Sequence, residues 1–234
     1  MKRDLLNIRI SPQPTDSACG PTCLHAIYQY FGDTISLGEV IDGVKTLEGG
    51  GTIAAQMAVH ALKRGYKAKI YSYNMAVFDP TWYQLPPEEM MKKLAAQKEA
   101  KNDPKLSAVT DTYLEFYALG GRVNFADLTP ALIRGYVKRG VPLLAGLSAT
   151  FLYSAKRERK DEANTEDDVA GYPAGHFVVI YGYNSGQGMV SVADPLRHNP
   201  AELGQRYEVN LYHLVCSILL GILTYDSNIL VIEP

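Results

Sequence analysis

Three cysteines, one tryptophan, a formal net charge of −2 and no long apolar run are what this chain of 234 residues has little of. Three cysteines cannot all pair, which argues for a reduced, cytoplasmic compartment rather than a disulfide framework. With 23 Lys and Arg against 25 Asp and Glu, no global field favours nucleic acid or an acidic membrane. The longest apolar stretch, Leu214 to Leu223, falls short of the about 20 residues a bilayer span needs. Met1 to Ile10 is interrupted by charge and lacks the apolar core of a secretory signal. No internal repeat is visible. What remains, 47% of it hydrophobic, is enough for one domain or two lobes around a shared cleft.

Periodicity divides the chain into helices early and strands late. Leu6, Ile8 and Ile10 alternate with polar residues and predict a short strand before Ser11-Pro12. A helix is expected from Cys19 to Gly32, and a second behind the capping box Ser36-Leu37-Gly38-Glu39 through Val44. After the loop Gly49-Gly50-Gly51, Thr52 is expected to cap a helix to Arg64, and Tyr66 to Tyr73 reads as a strand. Pro86-Pro87-Glu88-Glu89 opens another helix, Ser107 or Thr110 caps one through Leu119, and Thr129-Pro130 starts one that ends at Gly140. Val141 to Leu147 is strand-like. Ala155 to Asp168, dense in both charges, predicts a solvated loop or flexible flap. Strands near His176 and Val190, a helix around Leu211 to Leu220 and a strand from Asn228 to Ile232 complete an α+β pattern.

Chemistry concentrates at three places. Cys19 runs into Gly20-Pro21-Thr22 and the periodic Leu24, Ile27, Tyr28 and Phe31, so it falls in the first turn of a helix. Unpaired backbone N–H groups and the dipole there favour a thiolate. His176 opens the apolar run Phe177-Val178-Val179-Ile180-Tyr181, and Asp194 ends the run Met189-Val190-Ser191-Val192. A nucleophile on a helix start, a base on one strand and an acid on the next make a Cys-His-Asp set that only folding assembles. Gln13, six residues before Cys19, is placed to offer its amide beside the Cys19 backbone N–H, two donors for an oxyanion. Taken singly, each has a bland reading: a packed thiol, a surface glutamine, a histidine bonded to backbone, a turn after a strand. Together the four are harder to dismiss.

Cys23 shares a helix face with Cys19, which raises a redox pair or a metal site with His25. That spacing lacks a second matching pair, so no metal is assigned and Cys23 is expected in the core. Cys216 is expected to be buried. His25, His60, His198 and His213 read as satisfied surface or core residues. The charged run before His176 suggests a lid over the cleft.

Gln13-Pro14-Thr15-Asp16-Ser17-Ala18-Cys19-Gly20-Pro21-Thr22-Cys23-Leu24 resembles the nucleophile motif of the bacteriocin-processing, double-glycine-leader cysteine peptidases and their stand-alone relatives in the papain-like superfamily. Gly175-His176-Phe177-Val178-Val179-Ile180-Tyr181-Gly182-Tyr183 and Val192-Ala193-Asp194-Pro195 resemble that family's histidine and aspartate motifs. Ala18 stands where the transporter-linked peptidases usually carry an acidic residue, and segments 74–121 and 155–171 look like additions to the family core.

The resemblance implies one papain-like domain over 1–234. Its helical lobe spans about 12–140, and its antiparallel-sheet lobe about 141–234 plus the N-terminal strand, with the active site in the cleft between them. It further implies hydrolysis of a peptide or isopeptide-like bond, with Cys19 as nucleophile, His176 as base, Asp194 as its orienter and Gln13 as oxyanion donor. The implied partner is a peptide or protein substrate, and no cofactor, nucleic acid or membrane is called for. Two other functions fit the same residues: acyl transfer to an amine, and a catalytically silent peptide-binding module. Nothing in the residues sets the oligomeric state.

Overall fold

From His176 to Tyr183 the chain is buried on both sides: Phe177, Val179 and Tyr181 face one hydrophobic cluster, and Val178, Ile180 and Tyr183 face another. Successive side chains of a strand point to opposite faces, so this segment lies in the middle of a sheet covered on both sides. The computed structural model describes residues 3–47, 51–159, 161 and 164–234. Gly49 and Gly50 of the expected triglycine loop lie outside the described residues.

In chain order the elements are β1 (Arg3–Leu5), α1 (Cys19–Tyr30), α2 (Leu37–Gly43), α3 (Ala54–Lys63), β2 (Lys67–Ser72), α4 (Pro87–Lys101), α5 (Pro104–Ala118) and β3 (Arg122–Asn124). There follow α6 (Pro130–Lys138), β4 (Leu143–Ser148), α7 (Ala149–Leu152), β5 (Gly175–Asn184), β6 (Met189–Ala193), β7 (Arg206–Asn210), α8 (Leu211–Leu220) and β8 (Asn228–Glu233). The strands form one sheet in the order β3-β2-β8-β4-β5-β6-β7, with β1 pairing the far end of β5. Every pairing is antiparallel except β2 with β3. Helices α1 to α5 cover one face through residues such as Leu24, Ile27, Met57, Leu94 and Val109. Helices α6 to α8 cover the other through Ile133, Leu152, Leu214 and Ile218. Each such side chain, fully buried, contributes about 1.5–3 kcal/mol. The fold is α+β, with β2 and β3 from the first half of the chain joining the strands of the second. Among the described residues no helix is long and apolar enough to cross a membrane.

Several local expectations shift. The N-terminal strand is Arg3–Leu5, not Leu6 to Ile10: Leu6 still donates to the Tyr181 carbonyl, but Ile8 turns wholly into the core. Helix α5 starts at Pro104, because Asp103 accepts the Leu106 N–H at 2.7 Å and a proline follows at the first helical position. Thr52 does not cap α3; Gln56 closes that end by accepting the Ile53 N–H at 2.9 Å. Strand β7 was not foreseen. Cys216, expected to be buried, is exposed, because α8 turns Tyr212, Leu219 and Leu220 outward along with it. Some described residues of the charged run after Ala155 contact one another. Glu158 bridges to Glu166 and to Tyr172, and Arg159 pairs with Asp167 at 2.6 Å.

Candidate active site

Helix α1 begins at Cys19 behind Ala18, a residue with no side chain able to cap, and its first turn carries no acidic residue. The helix start therefore keeps free N–H groups and its positive dipole end beside the Cys19 sulfur. One turn on, the wholly buried Cys23 donates its S–H to the Phe177 carbonyl oxygen at 3.2 Å. Phe177 directly follows His176. The bond thus fixes α1 against β5 so that Cys19, one turn earlier, comes beside His176. The two side chains line the same cavity.

Sheet register brings the acid. Val179 lies opposite Ala193, so Asp194 falls across from Val178 and diagonal to His176 on the same face. His176 Nε2 meets Asp194 Oδ1 at 2.9 Å, which leaves Nδ1 outside that bond. Asp194 is fully buried and fully used. Oδ1 also accepts the Leu196 N–H at 2.9 Å, and Oδ2 accepts the hydroxyls of Tyr153 at 2.6 Å and Tyr207 at 2.8 Å. Removing a carboxylate from water is costly unless its lone pairs are filled, and these four donors fill them.

The electrostatics follow. Burial alone lowers the His176 pKa, but the hydrogen bond to Asp194, followed by the influence of Cys19, outweighs it and the pKa rises. Burial pushes Asp194 up, while the His176 hydrogen bond and charge, with Tyr153 and the Leu196 N–H, bring it below the usual carboxylate range. Burial, then the negative sides of Cys19 and Asp194, pushes the Cys23 thiol well up, so Cys23 stays a neutral packed group.

Gln13 is tied to the same region. Its backbone N–H donates to the Pro195 carbonyl at 2.9 Å, next to Asp194. Its side-chain Nε2 donates to Thr15 O at 3.0 Å and, weakly, to Asp16 O at 3.4 Å. Gln13 Oε1 is buried and among the described residues has no hydrogen-bond partner. The Nε2 hydrogens are thus turned onto the Thr15 and Asp16 carbonyls, and Gln13 lines the cavity of Tyr153 and Glu158, not the one that Cys19 lines. Two of the other four histidines have local partners: His60 bonds Tyr28 at 2.8 Å, and His213 faces the Leu152 carbonyl at 3.1 Å.

Two cavities open on either side of His176. One, of about 230 Å³, runs from Gln13 past Tyr153 to Glu158 and Asn164 of the charged segment. The other, of about 210 Å³, is lined by Cys19, Thr52, Lys105, His176, Thr224 and Asp226. Among the described residues no cluster of His, Cys, Asp and Glu could hold a metal ion. Sequence reasoning missed Tyr153 and Tyr207 as donors to Asp194 and Asp226 as a cavity wall. Tyr153 was visible only as one of sixteen tyrosines.

Among curated proteins no sequence matches. Among solved structures the chain is similar to a C39-like peptidase from Bacillus anthracis, at 16% identity and a TM-score of 0.49, covering 100% of this chain and 98% of that one. It is also similar to a double glycine motif protease from an AMS/PCAT transporter, in complex with the leader peptide, at 13% identity and a TM-score of 0.47, over 98% and 94% of the two chains. A third is the peptidase domain of Streptococcus ComA, a bifunctional ABC transporter in a quorum-sensing pathway, at 13% and 0.44, over 97% and 99%. The model of the Peptidase_C39 like family matches residues 5–215. That match, over nearly the whole described fold, supports a cysteine-peptidase type of function, and the chain belongs to the Peptidase_C39 like family.

Proposed function

We propose that the chain is a cysteine peptidase or amidase that hydrolyses a peptide or isopeptide-like bond through Cys19, His176 and Asp194. The observation that carries this reading is His176, which bonds Asp194 on one ring nitrogen and shares a cavity with Cys19. In this reading residues 1–234 form one papain-like catalytic domain, with α1 presenting the nucleophile and β5 and β6 presenting base and acid.

His176 takes the proton of Cys19, and the sulfur attacks the scissile carbonyl carbon. The carbonyl oxygen gains negative charge and is held by the Cys19 backbone N–H and by Gln13 Nε2, which must exchange its 3.4 Å bond to the Asp16 carbonyl for the oxyanion. The carbon–nitrogen bond then breaks as His176 returns the proton to the departing amine, leaving an acyl group on Cys19. His176 next takes a proton from water, hydroxide adds to the acyl carbon, and the carbon–sulfur bond breaks to release acid and free thiol. Asp194 stays ionised throughout and holds the ring in place, itself held by Tyr153 and Tyr207.

The test is digestion of a mixed peptide library by wild type, Cys19→Ala and His176→Ala, read by mass spectrometry. New peptide ends from wild type alone support the reading. Identical products from wild type and Cys19→Ala, or none from any of the three, tell against it.

A further inference from the structure

Asp226 is a buried carboxyl for which the proposed chemistry has no use. It is 6% exposed and shares the cavity of about 210 Å³ with Cys19 and His176. Its placement is built at some cost. A Cβ on Gly175, the residue before His176, would land on Asp226 Oδ2, and a Cβ on Gly146 would land on the Asp226 carbonyl oxygen. Both positions therefore need glycine for Asp226 to sit where it does. Tyr225, just before it, takes φ 71°, a left-handed conformation uncommon for a bulky residue, and so turns the chain to bring Asp226 inward.

The rest of the wall is polar. Thr224 lines the cavity with Asp226 and donates its hydroxyl to the Gly221 carbonyl at 3.1 Å. Thr52, 7% exposed, lines the same cavity, and among the described residues its hydroxyl has no hydrogen-bond partner. Lys105 stands exposed at the rim, its ammonium 4.3 Å over the Tyr225 ring. The cavity is smaller than the ~300–1,000 Å³ of a drug-sized site, which suits a single side chain.

We infer that Asp226 is a specificity-determining residue: its carboxylate receives the amine or guanidinium of a substrate side chain that enters this cavity beside the scissile bond. The inference deepens the peptidase reading and rests on it. A buried acid gains most from a ligand that brings a positive charge. Burial raises the Asp226 pKa to about 7 against the pull of the Thr224 hydroxyl and the charges of Lys105 and His176. The group is therefore poised at neutrality, and an incoming cation completes its ionisation. Thr52 supplies a second acceptor. Lys105, held on Tyr225, is the local charge that a cationic substrate must tolerate.

Charge selectivity is measurable without knowing the substrate. Methanethiosulfonates transfer their thioalkyl group to a thiolate: a sulfur–sulfur bond forms, the sulfur–sulfonyl bond breaks and methanesulfinate leaves. In a Cys216→Ser background, rates of Cys19 modification are compared for the neutral methyl, cationic aminoethyl and anionic sulfonatoethyl reagents, at a pH above the Asp226 midpoint of about 7.

The cation-to-anion rate ratio, corrected by each reagent's rate with a small free thiol, is expected to favour the cation. It should fall about tenfold in Asp226→Asn, the scale of one charge interaction in a partly buried site, and rise in Lys105→Gln. A folded Asp226→Asn with an unchanged ratio overturns the inference. If that variant does not fold, Lys105→Gln decides, and an unchanged ratio there overturns it equally. Fast modification by the neutral reagent with no charge preference sinks the role of Asp226 alone. Slow modification that does not depend on His176 sinks the peptidase reading as well.

Discussion

Cys23 Sγ donates to the Phe177 carbonyl oxygen at 3.2 Å, and through this bond the second cysteine of α1 seats the first beside His176. Cys23→Ala removes a weak hydrogen bond and leaves a small void, a loss of about 1 kcal/mol in chemical denaturation. Peptide cleavage should survive in Cys23→Ala and vanish in Cys19→Ala. Equal loss in both would mean that Cys23 takes part in the chemistry.

His176 and Asp194 meet at 2.9 Å with 6% and 0% of their side chains exposed. Asp194→Asn removes the charge that raises the His176 pKa. The expected fall in kcat/KM is about 10²- to 10⁴-fold, the range of general acid–base catalysis. Because cleavage needs protonated His176 to release the amine, the alkaline limb of the pH–rate profile should move to lower pH in this variant. A limb that stays in place would separate Asp194 from the base.

Tyr153 and Tyr207 both donate to Asp194 Oδ2. Each Tyr→Phe change takes one hydrogen bond from a buried charge, which costs about 1.5–3 kcal/mol of stability. The two changes share an acceptor, so their effects should not add, and a double-mutant cycle in urea measures the coupling. Strict additivity would show that the two hydroxyls do not act on one carboxylate.

The same pair makes stability depend on pH with a definite sign. The His176 pKa is raised on folding, so its contribution is complete below the unfolded value of about 6.5 and is lost as pH climbs through the folded value. The Asp194 pKa is lowered, so its contribution is complete above about 3.9 and is lost as pH falls through its folded value. The stability difference between wild type and His176→Gln should therefore be greatest between about pH 4 and 6.5 and shrink in alkali. A difference that grows in alkali would contradict the raised His176 pKa.

The sequence made the α+β class legible because helix caps, glycine stops and apolar runs are local signals. Ser36 with Glu39 and Thr129 before Pro130 cap helices as their spacing predicts. Asp103 was passed over for Ser107 and Thr110, although an acid directly before a proline is the stronger start. Cys216 lies in an apolar run, but a helix buries only one face. Its neighbours on the outer side, Tyr212 and Leu219, are exposed too.

The juxtaposition of Cys19, His176 and Asp194 was foreseeable because each stands at the start or end of a periodic segment. Tyr153 and Tyr207 stand 41 and 13 residues from Asp194, and no period links them to it. Asp226 follows a left-handed Tyr225, a conformation that sequence alone does not announce. Side chains that converge through sheet register and a short turn become visible only once the strands are paired.

The most direct measurement is iodoacetamide labelling with mass-spectrometric assignment, in wild type and His176→Ala, from about pH 5 to 9, against an ordinary thiol titrating near 8.5. The account predicts that Cys19 is labelled rapidly already at the acid end and that this is lost in His176→Ala. Exposed Cys216 should be labelled alike in both proteins, and buried Cys23 should stay unlabelled. If Cys19 instead tracks Cys216 at every pH and ignores the loss of His176, it is a packed cysteine, and the proposed catalytic site does not exist.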